Sequence, residues 1–153
     1  MDSANIFLTS IKHKIPSNAG SALQPILEQA GEQSLHKLML LNLRNPTMGL
    51  FISGLFGTLG VDRFYKGDIK LGITKLALWI LTYVMLISAF LITISGVTPT
   101  NNWSLMATLH ESLFYRIGVI SLITYNVWWL IDIYLVFVGI KNDNLNKIYQ
   151  ALQ

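Results

Sequence analysis

The sequence predicts an all-α integral membrane protein with two amphipathic N-terminal helices, a short glycine-rich membrane helix and two long transmembrane helices. Of its 153 residues, 52% are hydrophobic and only 12% are charged, about half the charged fraction of a typical soluble domain. Residues 76–97 carry no charge, and residues 117–140 carry a single one, Asp132. Because about 20 apolar residues cross a bilayer, both runs are long enough to be transmembrane helices.

The N-terminal region, residues 1–45, has the pattern of two amphipathic helices. The first helix ends at Pro16, and the second is predicted over residues 21–43, with Gly31 weakening its middle. The apolar stripe of the first helix consists of Ala4, Leu8, Ile11 and Ile15. Such helices suit the membrane interface, a partner protein or packing on each other, and we favour the interface or a partner.

Small residues follow one face of the next segment, residues 46–61, which has 16 uncharged residues and is slightly short for a full crossing. They are Gly49, Ser53, Gly57 and Gly60. This spacing lets helix backbones approach closely in lipid, so we expect these residues, together with Gly72, to pack helices. A phosphate-binding loop is the alternative, but the segment has neither a G-x-G turn nor a following GK[ST].

A dense charge cluster separates this segment from the next apolar run. Its members are Asp62, Arg63, Lys66, Asp68 and Lys70. Each charge would cost several kcal/mol at the bilayer centre, and Gly67 with Asp68 favours a turn. Phe64 and Tyr65 suit the membrane interface. We therefore predict a short loop over residues 61–70, between two tightly packed helices.

The remaining chain completes the membrane domain, residues 46–140. A helix is predicted over residues 69–95, followed by a polar loop over residues 96–111 without Lys or Arg. A third helix follows over residues 112–140, and residues 141–153 form a polar, helical tail. The tryptophans expected at the membrane interfaces are Trp79, Trp103, Trp128 and Trp129.

Two stretches together resemble the TM-two domain family, which is named for two membrane helices around a DRF-type loop. They are GLFGTLGVDRFYKGDIKLGITKL at residues 54–76 and WWLIDIYLVF at residues 128–137. The matching positions are Gly54, Gly57, Gly60, Asp62, Arg63, Phe64, Tyr65, Gly67, Gly72, Lys75, Leu76, Trp129 and Asp132. In the family pattern the Trp and Asp follow closely, whereas here about fifty residues intervene, which indicates an inserted loop and helix over residues 76–127. The resemblance implies a small membrane protein of bacterial type whose molecular activity is not established.

The distribution of basic residues predicts the orientation. Five of them flank one side of the two long helices, namely Arg63, Lys66, Lys70, Lys141 and Lys147. The positive-inside rule places the DRF loop and the C-terminus in the cytoplasm, and the resemblance implies that the membrane is the bacterial inner membrane. The N-terminus is on the same side if residues 46–61 form a re-entrant hairpin, and on the opposite side if they cross.

Two charges lie inside the predicted spans and are expected to pair. Lys75 lies about 7 Å inside Lys70, and Asp132 about 13 Å inside Lys141, at 1.5 Å per residue. The alternative is that Lys75 extends to the headgroups while Asp132 stays hydrated or protonated. An unpaired carboxylate in the membrane is expensive, which favours the pair.

Composition and motifs argue against an enzyme. The chain has no cysteine, its three histidines are far apart, and no HExxH or nucleophile elbow occurs. We expect no catalytic, cofactor-binding or metal site, no nucleic-acid partner and no small-molecule substrate. The favoured function is a non-catalytic scaffold or regulator that associates with itself or with partner membrane proteins in the lipid bilayer. The alternative is a self-assembling homo-oligomeric pore, or a toxin-like membrane-permeabilising protein, with Asp132 and Asn126 lining a polar path.

Overall fold

The structure, a computed structural model, describes residues 3–94 and 102–153, and these contain helices but no strand. The helices are α1 Ser3–Ile11, α2 Ala19–Gln29, α3 Glu32–Met39, α4 Pro46–Phe56, α5 Val61–Lys66, α6 Ile69–Ile94 and α7 Asn102–Leu152, with a 3₁₀ turn at Gly57–Leu59. Two segments within them, Ile69–Ala89 and Tyr115–Leu152, are long and apolar enough to cross a membrane. The predicted all-α membrane fold is confirmed.

The N-terminal region contains three helices, so the prediction of a single helix over residues 21–43 is wrong. The chain is extended at Ala30 (φ −72°, ψ 131°) and at Gly31 (φ −63°, ψ 157°). Two successive extended residues cannot continue an α-helix. The Gly31 carbonyl instead accepts hydrogen bonds from Ser34 and Leu35 and begins α3.

The helices α1–α3, termed here the N-terminal cap, bury their apolar faces against one another and against the end of α7. The buried members of this core are Ala4, Phe7, Ile11, Ile15, Ala19, Leu23, Leu27, Leu35, Leu38, Leu43 and Ile148. The apolar stripes therefore pack within the protein, and not on the membrane interface or a partner as the sequence favoured. Ile148 lies in the polar tail, residues 141–152, which is helical as predicted and closes the cap.

Helix α4 runs antiparallel to α7 and packs along it, and the 3₁₀ turn that follows lies against both long helices. A Cβ on Gly49 would collide with Ile140. Deeper along α4, the Trp129 indole N–H donates to the Ser53 carbonyl over 2.9 Å. The Tyr125 hydroxyl donates to the carbonyl of Thr58, in the turn that follows α4. Later residues of α4 and its following turn thus contact earlier residues of α7, as expected for antiparallel segments.

After α4 and the 3₁₀ turn, the chain reverses direction and returns towards the start of α4. Gly60 adopts a left-handed conformation (φ 77°) where a Cβ would lie 2.6 Å from the Gly72 carbonyl oxygen, so glycine is required there. Helix α5 follows, and at its end the Arg44 guanidinium donates to the carbonyl of Lys66. Residues 44 and 66 are therefore neighbours, and residues 46–66 form a hairpin whose two ends meet.

The prediction of a loop over residues 61–70 is wrong for its first part, because Val61–Lys66 is helical. Glycines with positive φ bound this helix at both ends, Gly60 at 77° and Gly67 at 97°. The charges of α5 do not need water, since they find ionic partners inside the protein. A short helix carrying charges can therefore lie between membrane helices.

Helices α6 and α7 pack antiparallel as the two long membrane helices. Thr82 and Ser121 share a hydrogen bond of 2.8 Å between their hydroxyl groups, and a Cβ on Gly118 would lie 2.8 Å from Leu86. The prediction of a loop is wrong for residues 102–111, which begin α7. That stretch contains Leu, Met and Ala and no Gly or Pro, so it favours a helix. The rest of that predicted loop, together with Ser95, lies outside the described residues.

Candidate functional site

Four charged side chains meet where the hairpin, α6 and α7 converge. Asp62 and Arg63 lie on α5, Lys75 on α6 and Asp132 on α7. Asp62, Lys75 and Asp132 are 0% exposed and Arg63 is 8% exposed. Side chains of these types are almost never fully buried unless they are paired. We term these four residues the charge network.

Lys75 forms the centre of the charge network. Its Nζ lies 2.5 Å from Asp132 Oδ2, 3.0 Å from Asp62 Oδ2 and 3.3 Å from Asp62 Oδ1. A lysine ammonium has three N–H donors, and three carboxylate oxygens surround it here. The structure thus brings Lys75 and Asp132 together, and it adds Asp62 as a second carboxylate.

Arg63 binds the other side of Asp132. Its Nε donates to Asp132 Oδ2 over 3.0 Å, and its Nη2 donates to Asp132 Oδ1. This two-point contact matches the planar guanidinium to the planar carboxylate. The third nitrogen, Nη1, donates to Asp68 Oδ2 over 3.0 Å. Arg63 therefore connects the buried network to the end of α5.

The charge network is electrically balanced, with two carboxylates and two cations. Balance matters because an isolated charge at this depth costs several kcal/mol, whereas a paired and hydrogen-bonded charge costs much less. Asp62 Oδ1 also accepts the backbone N–H of Arg63 over 2.9 Å. The network joins three helices that lack a hydrophobic driving force for association in lipid.

A second group of ion pairs lies at the more exposed edge of the site. Lys66 Nζ is 2.7 Å from Asp68 Oδ2 and 3.6 Å from Asp143 Oδ2. The hydrogen bond from Lys66 lowers the pKa of the Asp68 carboxyl, with Arg63 contributing and burial opposing. These pairs tie the end of α5 to the start of the α7 tail.

The predicted packing residues lie where backbones approach closely. Gly49, Ser53, Gly57, Gly60 and Gly72 are all buried. A Cβ on Gly57 would lie 2.8 Å from Trp129 Nε1, and one on Gly72 would lie 2.8 Å from the Phe64 ring. Added side chains at these positions would push the hairpin away from α6 and α7.

The tryptophans of the described part have different surroundings. Trp129 uses its indole N–H inside the protein, on Ser53. Trp128 is half-buried and lies edge-on to Tyr125, with ring centroids 6.0 Å apart. Trp79 is half-buried, and its ring centroid lies 4.6 Å from that of Tyr83. The side chain of Trp103 lies outside the described residues.

The other motif residues fix the entrance of the hairpin. The Tyr65 hydroxyl lies 3.2 Å from the Asn45 nitrogen and 3.3 Å from its carbonyl oxygen. Gly67 packs against the Arg44 guanidinium. A Cβ on Gly67 would lie 2.8 Å from Arg44 Nη1. Phe64 is exposed apart from its contact with Gly72.

Sequence reasoning missed several residues of this site. Asp62 and Arg63 were expected to be hydrated, although their place beside Lys75 and Asp132 in one motif was an available signal. Asn144 gave no signal in a polar tail, yet it is buried and joins three segments. Its Oδ1 accepts a hydrogen bond from the backbone N–H of Arg44 over 3.1 Å, and its Nδ2 donates to the backbone carbonyls of Arg44 and Lys14.

The chemistry available at the site is electrostatic. Within residues 3–94 and 102–153, no group of three or more His, Cys, Asp or Glu is arranged to hold a metal ion. The carboxylates of the charge network face cations that already occupy their oxygens. The arrangement can therefore hold the hairpin between two helices.

Comparison with protein families identifies the part of the chain that builds this site. Residues 42–94 match the TM2 domain. The matched segment contains the hairpin and α6, and so supplies Asp62, Arg63 and Lys75. The fourth member of the network, Asp132, lies on α7 beyond the end of the TM2 domain match. Comparison with curated proteins and with solved structures gave no match.

Proposed function

We propose that this TM2-domain protein is a non-catalytic membrane scaffold that presents its N-terminal cap to partner proteins. The support is the way in which the cap is fixed to the membrane helices. Ile148 of the α7 tail lies in the cap core, and Asn144 holds the backbones of Lys14 and Arg44. Helix α7 is continuous from the membrane to the cap. Its 51 residues span about 76 Å in total at 1.5 Å per residue.

A groove between α1 and α3 is the partner site in this proposal, and it is the observation that carries it. The groove has a volume of about 210 Å³ and is lined by Ile6, Phe7, Leu38 and Met39 among others. Ile6 is 52% exposed and Met39 is 50% exposed. The cap core is already closed without them, so these side chains are free to accept an apolar side chain of a partner.

The positions of Asp132 and Asn126 favour a scaffold over a pore. Asp132 is buried within the chain and bound by Lys75 and Arg63, whereas Asn126 is exposed. Six residues of α-helix separate them by about 120° around the axis. They therefore do not line one polar path from a single chain.

The proposed location of the cap is the cytoplasm of a bacterium, at the inner membrane. In this proposal residues 46–61 re-enter the membrane instead of crossing it, and the cap lies on the side of the α7 tail, against which it packs. That side then holds nearly all the basic residues outside the charge network, with Arg116 as the exception: Lys12, Lys14, Lys37, Arg44, Lys66, Lys70, Lys141 and Lys147. The positive-inside rule favours the cytoplasm for it.

Photocrosslinking in cells tests the partner site. A photoreactive amino acid at Met39 is expected to give protein adducts of discrete mass. The matched control is Ile26, which is also exposed on the cap but does not line the groove. Equal adducts at both positions, or none at Met39, would remove the groove as a partner site.

A liposome assay tests the pore alternative with the purified full chain. Vesicles that retain their ions at increasing protein-to-lipid ratio support the scaffold. A sustained leak that scales with protein would support the pore, and it would leave the photocrosslinking result to be explained by self-association.

A further inference from the structure

Asn126 is a polar residue in an unusual place. It lies on the span of α7, 14 residues before Ile140, which is about 21 Å along the helix. Its side chain is exposed, and so are the apolar side chains around it, Ile123, Val127 and Leu130. An amide facing hydrocarbon is costly because lipid offers it no hydrogen bonds.

The Asn126 amide is only partly satisfied. Its Nδ2 donates to the Leu122 carbonyl over 2.7 Å. That bond uses one of the two N–H hydrogens. Among the described residues, no hydrogen bond to Oδ1 is observed. One donor and one acceptor therefore remain, side by side, on a surface that faces lipid.

A group that offers one donor and one acceptor is complementary to a copy of itself. Two identical chains inserted in the same orientation are related by a two-fold axis along the membrane normal, so residue 126 of one meets residue 126 of the other. Two amides can then exchange hydrogen bonds. Hydrogen bonds between asparagine side chains are among the contacts that hold membrane helices together.

We propose that a second copy of this chain docks on the α7 face centred on Asn126. Val119, Ile123 and Leu130 lie within about 60° of Asn126 around the helix and form the apolar rim of the contact. The charge network lies on another side of α7 and remains inside each copy. This interface is independent of the proposed scaffold function, and it requires no pore.

Disulfide crosslinking tests the interface, because the chain has no native cysteine. Leu130→Cys lies on the proposed face, and Ile131→Cys lies about 100° further round the same helix. Both native side chains are exposed, at 61% and 55%. In proteoliposomes at low protein-to-lipid ratio, Leu130→Cys is expected to crosslink and Ile131→Cys is not.

Variants of Asn126 then test the amide. Asn126→Val in the Leu130→Cys background is expected to weaken dimerisation by about threefold or more, while Asn126→Gln retains it. A thermal melt of each variant confirms that the chain is folded, as expected for an exposed site. Equal crosslinking at residues 130 and 131, no crosslinking at 130, or no effect of Asn126→Val would overturn the proposal.

Discussion

Among single residues, Lys75 has the most demanding environment, since its buried ammonium contacts two carboxylates from two different helices. Removing Lys75 leaves Asp62 and Asp132 with Arg63 as their single buried cation. Removing Asp132 leaves two buried cations with Asp62. Each single change therefore unbalances the charge network by one unit, and removing both restores the balance.

A double-mutant cycle measures this coupling. Lys75→Met and Asp132→Asn are each expected to lower the free energy of unfolding by about 3–5 kcal/mol. The double variant should lose less than the sum, by about 0.5–3 kcal/mol. Chemical unfolding in detergent gives the values.

An exposed charge provides a control for that cycle. Lys70→Met, on the same helix as Lys75, is expected to change stability by no more than about 0.5 kcal/mol. Strict additivity of the two network variants would mean that Lys75 and Asp132 act independently.

The ion pairs of Asp68, at the more exposed edge of the site, are expected to weaken in acid, and the protein should then lose stability. The pKa of Asp68 in the folded protein lies below the ordinary value because Lys66 and Arg63 favour the charged form. Its contribution is therefore present above about pH 4, the unfolded pKa, and is lost as pH falls through the folded pKa. Asp68→Asn should reduce the drop in melting temperature between pH 6 and pH 3.

The distant exposed residue Glu28 supplies the comparison, because among the described residues its carboxylate has a hydrogen bond from Gln24 and no ion pair. Glu28→Gln is expected to leave the acid-induced drop nearly unchanged. If Asp68→Asn and wild type lose the same amount, the Asp68 ion pairs do not contribute to stability.

Among the helices, α4 depends most on small residues for its position. Gly57→Leu should separate α4 from α7, because the new Cβ would lie 2.8 Å from Trp129 Nε1 and 3.3 Å from Asp62 Oδ2. We expect a loss of about 1–3 kcal/mol or more, or a changed oligomer size in detergent. Thermal melting and size-exclusion chromatography measure both.

Gly54, on α4 and three residues before Gly57, is a matched control. A Cβ there has no atom within 4 Å, so Gly54→Leu is expected to melt close to wild type. If the two variants behave alike, close packing at Gly57 does not hold the hairpin in place.

For the whole molecule, we predict that residues 46–61 re-enter the membrane, so that the segments before and after the hairpin share one side of it. Single cysteines at Ser17, Lys70 and Asn142 are expected to label from the same face, and one at Asn102 from the opposite face. Membrane-impermeant maleimide applied to intact and inverted vesicles reads this directly. Labelling of Ser17 and Asn142 from different faces would show that residues 46–61 cross the membrane.

The sequence determined the features that depend on pattern along the chain. The two long spans follow from uncharged runs, and the close-packing face follows from the spacing of Gly49, Ser53 and Gly57. The approach of Lys75 to Asp132 followed from their depths, measured from Lys70 and Lys141. Each of these needs only hydrophobicity and the helical repeat.

Tertiary structure decided where the charges of α5 lie. Arg63 and Asp132 are 69 residues apart, and neither position alone indicates whether it faces water or a partner. The closure of the cap by Ile148 and the role of Asn144 likewise depend on distant segments. The physical reason is that burying a charge or a polar group is acceptable only where its partner is present, and that partner is supplied by the folded chain.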